Sequence, residues 1–140
     1  MSQWFRSSTF GRFSCLDLAA WQNLNDLADG DMVFMLELLD AFLKDAPQML
    51  AEISEAVKRK DLKKLRLAAH SLKSNSADFG AMTLSGLCRE LEVMSQATEG
   101  DLAGATELVA QAQAAYEQAE VELQVVRRHL LAGGWLFGDD

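Results

Sequence analysis

AHSLKSNSADFGAMTLSGLCRELE, residues 69–92, sets one histidine ten positions before Gly80 and a run of leucines after it. Drawn with the run before it at about 100° per residue, Leu62, Leu65, Ala69, Leu72, Ser76 and Phe79 fall on one side of a helix. That is the spacing of a buried stripe, and Asp61 stands where a side chain caps the first turn. A helix is therefore expected from Leu62 to about Ala77. Gly80 marks the turn, because glycine takes the left-handed conformation that closes helices. Leu84, Leu87, Leu91 and Met94 then recur at threes and fours, which predicts a helix from about Met82 to Gln96. Two helices joined by so short a turn lie side by side and antiparallel.

Helical spacing continues in both directions. LDLAAWQNLNDLA puts Leu18, Trp21, Leu24 and Leu27 on one face, so Leu16 to Leu27 reads as a short amphipathic helix. ADGD ends it. Asp31 can cap the next helix, whose apolar residues are Val33, Phe34, Leu36, Leu38, Leu39, Phe42 and Leu43. Pro47 interrupts that pattern. Proline lacks an N–H and its ring crowds the carbonyl four residues back, so a kink or break is expected near Lys44 to Ala46. After TEGD, an alanine-rich helix is expected from about Leu102 to Leu131, stopped by Gly133 and Gly134. No segment alternates with period two for long enough to be a strand, and no internal repeat occurs. The fold class is all-α: an antiparallel four-helix bundle with an additional short N-terminal helix.

A chain of 140 residues reads as one domain, long enough to bury a core without disulfides or metal. Cys15 and Cys88, with no CxxC, suit a reducing compartment and two free thiols. No apolar run approaches the roughly 20 residues that span a bilayer. The most apolar stretch, MVFMLELLDAFL, is broken by Glu37 and Asp40. The first residues, MSQWFRSSTFGRFS, lack the apolar centre of a signal peptide. A cytoplasmic protein with no membrane contact is expected. The net charge of −8 argues against a nucleic-acid partner. Acidic residues crowd positions 17 to 55, and basic ones crowd 58 to 73 as KRKDLKKLRLAAHSLK. The one basic stretch of an acidic chain contains His70.

His70 lies about 130° from the centre of the buried stripe, so it should face solvent or the bundle rim. Its neighbours at helical spacing are Arg66, Leu67, Lys73 and Ser74, with Ala77 one turn further. A surface histidine on a basic helix face is most often simply solvated. Here the cations are concentrated around it, and Ser74 and Ala77 leave space beside the ring. His70 also stands ten residues before Gly80 and Glu92 twelve after it, nearly the same level of the hairpin. A carboxylate there could hold one ring nitrogen and leave the other exposed as a nucleophile. Lys73 could offset the charge of a phosphoryl group carried on the ring. There is no Walker loop, no GxGxxG and no convincing magnesium-binding acid cluster, so nothing in the chain can draw phosphate from ATP.

The stretch resembles the signature of histidine-containing phosphotransfer (HPt) domains, roughly AHxLKGxSxxxGAxxLxxxCxxLE. The matching residues are Ala69, His70, Leu72, Lys73, Ser76, Gly80, Ala81, Leu84, Cys88, Leu91 and Glu92. Upstream, the Gly-Asp pair, FMLELLDAF, the proline and KDLKKLRLAAH look similar too, so the resemblance spans about Leu16 to Val126. It implies a bundle over residues 15–132, flanked by an N-terminal arm (1–14) and a C-terminal tail (133–140). It implies a phosphoryl carrier in a multistep two-component phosphorelay, without kinase activity of its own. His70 would accept a phosphoryl group from a receiver-domain aspartate and pass it to another receiver. Lys73 would be the charge partner, Glu92 would orient the imidazole, and Lys63, Arg66, Leu67, Ser74 and Ala77 would contact the receiver. The implied partners are receiver domains of response regulators and of a hybrid sensor kinase. No cofactor and no metal are implied. Glycine usually stands where this chain has Ser74, which puts the rate and the partner in question.

That departure keeps a second reading open, a catalytically silent adaptor or antagonist that binds a receiver domain or kinase without phosphotransfer. An unrelated helical bundle would leave the spaced signature as coincidence. His129 follows Arg127 and Arg128 near a helix C-terminus, where charge placement explains it. Two histidines and two scattered cysteines make no zinc site, and no EXXH pair suggests a di-iron bundle. Cys88 and the methionines Met32, Met35, Met49, Met82 and Met94 read as packing. Trp4, Phe5, Phe10, Phe13, Trp135, Leu136 and Phe137 suit cover for a bundle groove or anchors for a partner. A monomer is expected, with a dimer through the last helix left open.

Overall fold

The structure, a computed structural model, describes residues 13–96 and 102–134. Among these are five helices, α1 (Leu18–Leu27), α2 (Met32–Arg59), α3 (Leu62–Asp78), α4 (Met82–Met94) and α5 (Ala105–Leu131). α3 packs on α2 and on α4, and α5 closes the ring by packing on both α2 and α4. The four longer helices thus form the bundle, and α1 lies outside it against α3. Aspartates cap three of the helices: Asp17 accepts from the Ala19 amide, Asp31 from Phe34 and Asp61 from Lys64. The core is built from one stripe per helix, with Leu39, Ile53, Leu65, Leu72, Leu84, Leu91 and Leu123 essentially inaccessible. Burial of these stripes, more than intrinsic propensity, holds such helices together.

α2 runs through Pro47 as one helix, so of the expected kink or break near Lys44 to Ala46 the break does not occur. Pro47 removes the amide that would bond the Leu43 carbonyl. That carbonyl accepts instead from the Tyr116 hydroxyl of α5, across a long 3.4 Å contact. Burial of Phe42 and Ala46 before the proline, and of Leu50 and Ile53 after it, packs both halves of the helix on one core. Tertiary packing therefore outweighs the local cost of the proline, about 3 kcal/mol in an isolated helix.

Several bounds also differ from expectation. α1 starts at Leu18, because Leu16 forms an isolated antiparallel bridge with Ala81. α4 ends at Met94, and α5 begins at Ala105 after Gly104 in the left-handed conformation. Of the apolar residues at the start of α2, Val33 and Phe34 are exposed, whereas Met35 is fully buried. Helical rotation explains this, since Met35, Leu39, Phe42 and Ala46 make the inward stripe and Phe34 lies beside it. Met82 is exposed as well. Trp4, Phe5 and Phe10 of the arm and Trp135, Leu136 and Phe137 of the tail lie outside the described residues. Phe13 packs against the core.

Candidate functional site

The α3–α4 turn sets the register of the site. Gly80 has φ +80°, and a Cβ there would come within 2.7 Å of the Asp17 carbonyl oxygen. The Ala81 amide returns to the Ser76 carbonyl at 2.9 Å, closing α3. Ser85 of α4 donates its hydroxyl to the Lys73 carbonyl at 2.9 Å, which pins the two helices one turn further up. Above that tie, α3 offers His70 and Lys73 and α4 offers Glu92 at a common level.

The three side chains are joined. His70 Nδ1 lies 2.7 Å from Glu92 Oε2, and Lys73 Nζ donates to Glu92 Oε1 at 2.6 Å. The imidazole is 61 % exposed, while the carboxylate beneath it is 15 % exposed. The Lys73 hydrogen bond, with a smaller contribution from His70, outweighs partial desolvation and holds the Glu92 carboxyl below its ordinary value. Ionised, it can only accept, so the proton between it and the ring belongs to Nδ1. In the neutral ring Nε2 then carries the free lone pair. One turn before Glu92, burial pushes the Cys88 thiol up to about 12, so that cysteine is inert packing.

Lys63, Arg66, Leu67, Ser74 and Ala77 form one stripe along α3 with His70, at steps of three and four. All are exposed except Ala77, which is half-buried. Lys73 differs, since its ammonium is turned to Glu92 and only 29 % of its side chain is exposed. At the α3 C-terminal end the stripe runs into a groove of about 510 Å³. Ala20, Asn23, Leu24 and Leu27 of α1 line one side, Phe34 and Leu38 of α2 the other, and Ala77 and Asp78 lie between. Apart from Ala77, sequence reading did not pick out the residues that line this groove. The signal was available in α2, where apolar residues from Val33 to Leu43 cover too wide an arc for one buried stripe.

Among the described residues no three His, Cys, Asp or Glu side chains are grouped to hold a metal ion. No described helix is long and apolar enough to cross a membrane. The Hpt domain family model matches residues 37–122. Among solved structures, the chain resembles histidine-containing phosphotransfer protein B (HptB) from Pseudomonas aeruginosa PAO1. Identity is 28 %, with a TM-score of 0.73 over 82 % of this chain and 96 % of that one. Comparison with curated proteins gives no match.

Proposed function

The chain belongs to the Hpt domain family, and from that premise we propose that His70 carries a phosphoryl group between receiver domains. The observation that supports this most is an exposed imidazole whose Nδ1 is held on a carboxylate. Nε2 would attack the phosphorus of a receiver's aspartyl phosphate. The Nε2–P bond forms as the acyl oxygen–P bond breaks, and the aspartate leaves as a carboxylate needing no proton. Nδ1 keeps its proton throughout, so the product ring is cationic and faces the Glu92 carboxylate. Lys73, already beside Glu92, would offset the charge of the new phosphoryl oxygens. Transfer to a second receiver reverses these steps. The receiver brings Mg²⁺ and most of the transfer chemistry, while this chain supplies a positioned nucleophile.

Docking would use the α3 stripe. Receiver domains gather acids around their aspartate, which suits Lys63 and Arg66. The groove beyond Ala77 offers apolar area beside them. The proposal extends to a cytoplasmic monomer built on residues 15–132.

The test mixes the chain with a phosphorylated receiver and Mg²⁺, beside a His70→Gln control. Acid-labile, base-stable label that vanishes in the control is the expected result. One residue favours the adaptor reading: Ser74, exposed at the position where glycine would leave the ring most open. Binding without label across several receivers would decide for the adaptor, and Ser74→Gly would then restore transfer.

A further inference from the structure

Four successive backbone amides ahead of α1 are all taken. The Ser14 amide donates to Glu122 Oε2 at 3.1 Å, as does the Ser14 hydroxyl at 3.1 Å. The Cys15 amide reaches Oε1 at 3.0 Å and the Leu16 amide reaches the same oxygen at 3.2 Å. The Asp17 amide donates to the Gly80 carbonyl at 2.8 Å. One carboxylate on α5 therefore gathers three consecutive N–H groups and a hydroxyl. Both of its oxygens are needed, and hydrogen bonds to a charged acceptor are the stronger kind.

The segment tied down this way leads directly into α1, since Asp17 is also its N-cap. α1 is a helix of ten residues with only Trp21 and Leu24 buried, and its main packing partner is α3. An isolated helix of that length does not persist in water. Its place depends on Trp21, which meets the Phe79 ring edge-on at 5.7 Å, and on the strap before it. α1 also supplies a whole wall of the 510 Å³ groove at the end of the His70 stripe.

We propose that Glu122 is a positioning residue for phosphotransfer. By latching residues 14–16 to α5 it holds α1 as the wall of the groove on which a receiver domain docks. The docking half of this inference rests on the receiver-carrier reading above. Glu122 touches neither His70 nor its partners, so it acts on docking and leaves the chemistry of the imidazole alone.

The experiment uses the full chain as wild type, Glu122→Ala and Glu122→Gln. Hydrogen exchange reads the latch, transfer from a phosphorylated receiver reads docking, and labelling by phosphoramidate reads His70 without any receiver. In Glu122→Ala the amides of Leu18–Leu27 should exchange about tenfold faster while those of α3 and α4 keep their rates. KM for the receiver should rise about tenfold, with kcat and phosphoramidate labelling unchanged within about twofold. Glu122→Gln, which keeps one acceptor oxygen, should fall between. Unchanged exchange in α1 would overturn the latch. Faster exchange with an unchanged KM would overturn the link to docking. If the wild type took no phosphoryl group from any receiver while α1 loosened as expected, the failure would lie with the carrier reading. The docking half would fall with it and the latch would stand.

Discussion

At the scale of single residues, the site turns on a carboxylate shared by an imidazole and an ammonium. Glu92→Gln keeps an oxygen for Nδ1 and removes the charge that holds Lys73. Transfer to His70 should fall about tenfold, the equivalent of one charge-assisted hydrogen bond, with the fold intact by circular dichroism. A ¹⁵N-edited spectrum of the ring should show the Nδ1–H form losing its dominance. The same group sets an acid limit. Its folded-state carboxyl titrates below the ordinary 4.5, chiefly because Lys73 donates to it. A lowered carboxyl stabilises the fold above 4.5, and that contribution is lost as pH falls below it toward the folded-state value. Thermal melts of wild type and Glu92→Gln should therefore differ at neutral pH and converge as the solution is acidified through pH 4.5 and below.

At the scale of elements, the turn at Gly80 and the proline of α2 carry separate tests. Gly80→Ala forces an unfavourable φ and drives a Cβ into the Asp17 backbone. It should destabilise the chain by about 3 kcal/mol and lower Tm by about 10 °C. Pro47→Ala restores an amide to the Leu43 carbonyl and should stabilise by about 1–2 kcal/mol in denaturant titrations. Tyr116→Phe should cost less than about 1 kcal/mol in wild type and less still in the Pro47→Ala background, a coupling that a double-mutant cycle reads directly. These elements also explain what could be read beforehand. The α3–α4 hairpin is legible because stripe, cap and glycine agree, and the meeting of His70 and Glu92 can be counted from Gly80. The continuity of α2 is not legible, because Pro47 is a local signal overridden by contacts from α5, a segment remote in sequence. The groove is hidden for a similar reason. Leu27 and Phe34 recur at the same helical spacings as their buried neighbours, and only the placement of α1 outside the bundle leaves them exposed. Nor does periodicity disclose Glu122, which reads as one of many acids on an alanine-rich helix.

For the whole molecule, charge is divided along one face. The chain carries −8 overall, yet Lys63 and Arg66 flank the exposed imidazole. Reversing both to glutamate should slow association with a receiver about tenfold at low salt, with the difference shrinking as ionic strength rises. Stopped-flow mixing over a salt series checks this, and phosphoramidate labelling should not change. The molecule is also divided by distance along the chain. His70 and Glu92 are 22 residues apart, whereas Glu122 and Ser14 are 108 apart. Synthesis runs from the N-terminus, so a nascent chain has every member of the imidazole–carboxylate–ammonium group well before it has the Glu122 acceptor for residues 14–16. The His70–Glu92 pair belongs to a local hairpin with a short loop to close, and the α1 wall of the groove belongs to the joining of segments far apart in the chain. On the carrier reading proposed above, competence to hold a phosphoryl group and competence to receive one from a partner are acquired at different moments in the life of the chain.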